Sequence, residues 1–174
     1  MLTNILVIVV VAIAALLIYA QMRPDTFSVQ RSASIKAAPE KIAALIDDFH
    51  AWGNWSPYEK RDPDMNRSYS GPAKGKGAVY QWDGNSKVGA GRMEVLETAP
   101  AKVDIKLDFI RPFEGHNIAT FTMVPAGDST RVTWNMSGPA AFIPKLMGVF
   151  MNMDKMIGTD FEVGLANLKA VAEK

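Results

Sequence analysis

The segment that decides the fold is Lys102-Val103-Asp104-Ile105-Lys106-Leu107-Asp108-Phe109, KVDIKLDF. Val103, Ile105, Leu107 and Phe109 share one parity, and Lys102, Asp104, Lys106 and Asp108 share the other. A period of two sends successive side chains to opposite faces of a strand. One face of this strand is therefore dry and the other is a solvated ladder of charges. Antiparallel sheets tolerate one wet face, whereas parallel sheets, covered on both sides, rarely do. The ladder reads as a solvent face with cross-strand pairing, not as reactive chemistry.

Further strands flank this one. Ala78 to Trp82 leads into Asp83-Gly84-Asn85, a tight-turn signal, and Lys87 to Glu97 returns before Ala99-Pro100 breaks the run. His116 to Val124 is a strand, Pro125-Ala126-Gly127-Asp128 turns it, and Thr130 to Ser137 follows. That last strand sets Val132, Trp134 and Met136 against Arg131, Thr133 and Asn135. Phe27 to Ile35 alternates as a first strand, with Arg31 interrupting the apolar parity of Phe27, Val29, Ala33 and Ile35. A short strand is expected near Arg67–Ser70, inside a loop rich in Gly, Pro, Asn and Asp.

Two regions have a helical period. Ala38-Pro39-Glu40 opens a helix, with Pro39 suited to its first position. Ile42, Leu45, Ile46 and Phe49 form its apolar stripe, and the helix should fail near His50–Gly53. From Phe142 to the end, Ile143, Met147, Phe150, Asp154, Ile157, Phe161, Leu165 and Leu168 trace one face, with Asp154 the misfit. Gly148, Gly158 and Gly164 each weaken such a helix by up to ~1 kcal/mol relative to Ala. Tertiary contacts must therefore hold it, and the glycines permit close approach or a bend.

The order is strand, helix, loop, about six antiparallel strands and a long C-terminal helix, an α+β arrangement. A sheet with one apolar face needs a cover, and the C-terminal helix is the only element long enough. A twisted sheet wrapped around a helix leaves space between them, which predicts an internal cavity.

Ile5 to Ala20 is nearly pure Ile, Val, Leu and Ala, and residues 1–22 carry no charged side chain. About 20 such residues, as a helix, cross a hydrocarbon core of about 30 Å. Tyr19 falls at the interface and Arg23 at the polar boundary. A cleaved signal peptide would show a basic n-region and a small-x-small site, whereas Ile18-Tyr19-Ala20 places a bulky residue at that position. Residues 1–22 are accordingly expected to be a retained, single-pass transmembrane anchor, 23–26 a linker and 27–174 the globular domain. Arg23, Arg31, Lys36 and Lys41 follow the span and nothing basic precedes it, which points to a cytoplasmic C-terminal domain.

Composition excludes several functions. The 19 basic and 18 acidic residues are well mixed, unlike the footprint of a nucleic-acid binder. There is no cysteine, hence no disulfide framework or thiolate chemistry, and two isolated histidines, His50 and His116, make a metal site unexpected. No cofactor motif or nucleophile motif is present. The ten methionines suit an adaptable apolar lining.

The sequence resembles the START-like superfamily, which includes Bet v 1-like proteins and the polyketide cyclase/dehydrase and lipid-transport group. The matching residues are Ala38-Pro39-Glu40-Lys41-Ile42, Ile46-Asp47, Trp52, Trp55-Ser56-Pro57, Gly75-x-Gly77-Ala78, Tyr80, Trp82 and Gly138. The resemblance spans roughly residues 27–172. It implies a helix-grip fold, a curved antiparallel sheet around a long C-terminal helix with an internal hydrophobic cavity.

Candidate ligand-binding residues follow from parity and from this resemblance. Trp52, Trp55 and Tyr58, in Asp47-Asp48-Phe49-His50-Ala51-Trp52-Gly53-Asn54-Trp55-Ser56-Pro57-Tyr58-Glu59, either rim the cavity or pack the helix end against the sheet. Tyr80, Trp82, Met93, Phe109, Phe121, Trp134 and Met136 face inwards by parity, as core and cavity lining together. Met147 and Phe150 offer an adaptable wall on the last helix, or a packing stripe. Asp47 and Asp48, adjacent on the chain, do not form an acid–base pair, and one of them is expected to hydrogen-bond in the following loop.

The expected function is binding of a small hydrophobic molecule, lipid or isoprenoid in character, by a membrane-tethered domain. A cyclase/dehydrase enzyme is the alternative and would need Arg31, Asp47, Glu94 or His116 to converge inside the cavity. A module docking on another membrane protein is a third possibility. No catalytic residue and no protein partner is assigned.

Overall fold

The computed structural model describes residues 2–174. An apolar helix, α1 (Leu2–Gln21), precedes β1 (Thr26–Ile35) and α2 (Pro39–Ile46). The strands β2 (Asn66–Ser70), β3 (Val79–Asp83), β4 (Ala90–Ala99), β5 (Lys102–Arg111), β6 (Gly115–Ala126) and β7 (Ser129–Pro139) follow, then α3 (Phe142–Phe150) and α4 (Met153–Ala172). All seven strands form one antiparallel sheet in the order β1-β7-β6-β5-β4-β3-β2.

The alternation in KVDIKLDF sets the face of this sheet. Val103 and Ile105 are fully buried, while Lys102 pairs with Asp104 and Lys106 with Asp108 on the outer side. Register carries the apolar face across the neighbours. Ile105 lies opposite Val95 and Ala119, and Ala119 lies opposite Met136, which faces Val29. Each fully buried aliphatic contributes about 1.5–3 kcal/mol, against under about 1 kcal/mol for an exposed ion pair, so burial fixes the register.

Pro39 occupies the first turn of α2, and Ala38 before it is extended. The helix ends at Ile46, earlier than the apolar stripe predicts. Asp48 turns extended and its carboxylate accepts the His50 backbone N–H at 2.9 Å, which starts a 3₁₀ helix, Phe49–Asn54. Asp48 thus makes the hydrogen bond in the following loop that was expected of one of the pair, while Asp47 Oδ2 accepts the hydroxyl of Thr98 on β4 at 2.9 Å.

Two local expectations are corrected. The connection between β3 and β4 is longer than a tight turn at Asp83-Gly84-Asn85, since β4 begins only at Ala90. Asp62 explains it by accepting the Asn85 N–H at 2.7 Å, which ties this loop to the preceding one. The long C-terminal helix is two helices, because Met151 is extended and the Asn152 side chain caps α4 by accepting the Lys155 N–H at 2.9 Å. The break is not at a glycine. The three glycines are instead positions of close approach, Gly148 to Arg23, Gly158 to Arg31 and Gly164 to Trp134.

α4 grips the sheet along β1 and β7 and also touches α2. Phe161, Leu165, Leu168 and Ala172 are its buried stripe. The misfits Arg31 and Asp154 meet here. The guanidinium donates to Asp154 Oδ2 at 3.0 Å and to Glu162 Oε1 at 2.8 Å. α1 is long and apolar enough to cross a membrane, and its contact is with α3.

Candidate functional site

The interior between the sheet and α4 is filled by aromatic rings in contact, so the space expected there as an open cavity is occupied by side chains. From β3 inwards, Tyr80 tilts against Phe49 at 5.9 Å, Phe49 meets Trp52 edge-on at 5.5 Å, and Trp52 lies 4.7 Å from Trp55. Trp55 then meets Trp134 and Phe121 edge-on, and Phe161 of α4 stacks on Trp134 at 4.1 Å. Gly164 admits this packing. A Cβ there would stand 2.7 Å from the Trp134 ring and 3.1 Å from Pro57.

Trp52 and Trp55 have a second role that the sequence did not disclose. Their indole N–H groups donate to the carbonyls of Ile46 at 2.8 Å and Leu45 at 3.0 Å. These carbonyls end α2 and have no partner within the helix, so the two tryptophans cap it from below.

Three buried polar atoms among the described residues have no hydrogen-bond partner, the Trp134 Nε1 in this apolar wall, the Ser56 Oγ next to Trp55, and the Asp47 Oδ1. A buried donor or acceptor left unpaired costs about 1–3 kcal/mol, so the first two mark places where a ligand oxygen or hydroxyl would be favoured.

The sequence also missed a polar network beside the aromatic wall. Tyr80 donates its hydroxyl to Glu59 Oε1 at 2.5 Å, and Arg67 donates to Glu59 Oε2 at 2.8 Å. Burial first, and then the bond to Glu59, pushes the Tyr80 phenol far above its ordinary value, so it remains a neutral donor. Burial likewise raises Tyr58, whose ring lies 5.2 Å from the Arg61 guanidinium. Opposite charges at Glu59 and Arg67, on either side of one turn-rich loop, were the available signal.

Of the predicted site residues, Trp52, Trp55, Tyr80, Met93, Phe121, Trp134 and Met136 are buried in one core cluster, with Tyr58 and Trp82 packed on it. Phe109 is half-buried and edge-on to Trp82 at 5.9 Å. Met147 and Phe150 lie on α3, outside this cluster, and Phe150 is 74% exposed. A groove opens where α4 begins, between Met151, Asn152, Lys155, Met156, Thr159 and Asp160.

The four residues considered for acid–base work do not converge. Arg31 is paired to α4, Asp47 to Thr98, and Glu94 to Arg92 at 2.7 Å. His116 lies on the outer face, where its imidazole nitrogen is 2.8 Å from Asp108.

The sequence between residues 26 and 173 matches the family model described as polyketide cyclase/dehydrase and lipid transport. A START superfamily protein from Mycobacterium smegmatis is similar in structure at 18% identity and a TM-score of 0.58, covering 84% of this chain and 97% of its own. The Aha1 dimer from Colwellia psychrerythraea is similar at 19% identity and a TM-score of 0.60, over 84% of this chain and 96% of that one. The di-domain ARO/CYC protein BexL of the BE-7585A biosynthetic pathway aligns over 90% of this chain and 53% of its own, at 14% identity and a TM-score of 0.62. At such identities these structures speak for the fold. No curated protein matches the sequence significantly. With the sheet, its gripped helix and the family match all covering the same residues, the chain belongs to the polyketide cyclase/dehydrase and lipid-transport family of the START-like superfamily.

Proposed function

We propose that this protein is a membrane-tethered binder of a small hydrophobic molecule, with α1 as the anchor, residues 23–26 as the linker and residues 27–174 as the binding domain. The molecule lies against the aromatic wall of Trp52, Trp55, Tyr80, Phe121 and Trp134, beneath α4. Trp82, Met93, Phe109 and Met136 extend that wall, and Tyr58 borders it. The observation that carries this is the unpaired Trp134 N–H, a donor set within an aromatic wall. Ligand sites of this kind combine a broad apolar lining with a few polar groups that fix orientation. Apolar burial at about 25 cal/mol per Å² supplies the affinity. A carbonyl, hydroxyl or carboxyl oxygen on the guest answers the indole. The rings now in contact part to admit it.

The test uses two fluorescent probes and the full chain in nanodiscs, read by energy transfer from the interior tryptophans. One probe is a hydrocarbon-like naphthylamine and the other a fatty acid with a dansyl tail. Both should bind. Trp134→Phe should weaken the fatty acid about tenfold, the worth of one hydrogen bond, and leave the hydrocarbon probe within about twofold. If neither probe transfers energy above that of empty nanodiscs, the proposal fails.

A further inference from the structure

α3 is the one element of the C-terminal half that does not serve the core. Its buried residue is Lys145, whose side chain is 4% exposed and paired to Asp25 in the linker after α1. Gly148, one turn later, leaves room for the Arg23 guanidinium, 3.1 Å from where a Cβ would stand. Ala20, at the end of α1, is fully buried. α3 is therefore fastened to the C-terminal end of α1 by its small and basic face.

The opposite face is apolar. At 100° per residue, Ile143, Leu146, Met147 and Phe150 lie across the helix from Lys145 and Gly148. Ile143 is 47% exposed and Phe150 74% exposed, and Met151, just past the helix end, is exposed as well. A nine-residue helix exposing such a face without an aqueous reason for it needs a cover.

The cover is identified by where α3 is attached. α1 has 20 residues, and at 1.5 Å per residue it is about 30 Å long, the thickness of a hydrocarbon core. If α1 spans, its C-terminal end lies at the interface between lipid tails and headgroups, and α3 lies there with it. Arg23 then stands at headgroup depth, where cations are favoured beside anionic lipid, while Lys145 stays buried against Asp25.

We infer that α3 is an interfacial helix, lying in the plane of the membrane that α1 crosses, with Ile143 and Phe150 buried among the lipid acyl chains. This rests on the tethered reading above.

The chain contains no cysteine, so single cysteines can be placed at will. Val10→Cys in α1, Ile143→Cys and Phe150→Cys in α3, and Lys87→Cys in the β3–β4 loop are labelled with an environment-sensitive NBD fluorophore. The full chain is reconstituted in vesicles of phosphatidylcholine and phosphatidylglycerol. Val10 should be quenched by deep doxyl lipids, and positions 143 and 150 by shallow ones. Iodide in the water should quench positions 143 and 150 at least about threefold less than position 87. All four substitutions are at exposed positions, and an unchanged circular dichroism spectrum verifies folding. If Val10 is in lipid but positions 143 and 150 are as open to iodide as position 87, the interfacial helix is disproved and the tether stands. If positions 143 and 150 are shielded from both iodide and doxyl lipid, protein covers this face and the inference is overturned. If Val10 is itself in water, the tether fails and the inference falls with it.

Discussion

Trp55 is fully buried, yet its one polar atom is used: the indole N–H meets the Leu45 carbonyl at the end of α2. Trp55→Phe keeps most of the ring volume and strands that carbonyl, so it should destabilise the protein by about 1–3 kcal/mol in urea denaturation. Ser56→Ala should act in the opposite direction, raising stability by up to about 1 kcal/mol, because the hydroxyl it removes is buried without a partner. A loss of stability in Ser56→Ala would mean that the hydroxyl is bonded in solution. Residue-level legibility was uneven. Spacing placed two tryptophans where a helix fails, but spacing carries no information on where an indole N–H points. Arg31 and Asp154 were legible as the two polar interruptions of apolar stripes, one on β1 and one on the last helical run. That they answer each other could have been inferred, since both stripes face the same interior.

Between elements, the contrast of two glycines in α4 is informative. At Gly164 a methyl group would meet the Trp134 ring at 2.7 Å and Pro57 at 3.1 Å, both rigid and inside the core. Gly164→Ala should cost about 1–2 kcal/mol even after the gain in helix propensity. At Gly158 the obstacle is the end of the Arg31 side chain, which can swing away. Its ion-pair partners Asp154 and Glu162 are largely exposed, so little is lost, and Gly158→Ala should be near neutral by the same denaturation measurement. The break between α3 and α4 was hidden by an apolar period that runs through it, though Asn152 followed by Asp154 was a helix-start signal. The β3–β4 loop was misread because Asp62, which holds it, is distant in sequence.

The charge ladder of β5 makes a pH prediction at the same scale. The bond to Asp108 holds the His116 imidazole above its ordinary value. Burial pushes the Asp108 carboxyl up, but the hydrogen bonds from His116 and Lys106 outweigh it and hold the group low. The stabilisation due to His116 is complete below its unfolded value and is lost as pH rises through its raised folded value. That due to Asp108 is present above its unfolded value and is lost as pH falls through its depressed one. Both are present between about pH 4 and 6.5. The Tm deficit of His116→Gln should therefore be largest in that window, small because the imidazole is open to solvent, and should shrink towards pH 9. A deficit independent of pH would show that His116 acts through packing alone.

At the scale of the whole molecule, a grip fold is carried on an apolar helix, and the two halves of the proposed function, tether and binding, can be separated by experiment. Alkaline carbonate washing of membranes should leave the full chain in the pellet, because a single apolar helix of this length does not partition into water; release into the supernatant would contradict the tether. The fold was legible because the period changes from two to 3.6 and back, and because one strand displayed its two faces without interruption. The candidate site was legible only as a set of inward parities. The Glu59–Arg67–Tyr80 network and the unpaired Trp134 N–H depend on which loops close over the sheet, and pattern along a strand does not encode that.

Native mass spectrometry of the full chain, extracted from membranes and freed of detergent in the gas phase, asks the central question most directly. One lipophilic molecule should remain bound per polypeptide, at reduced occupancy in Trp134→Phe. The bare polypeptide mass alone, persisting after incubation with a lipid extract, would contradict binding beneath α4.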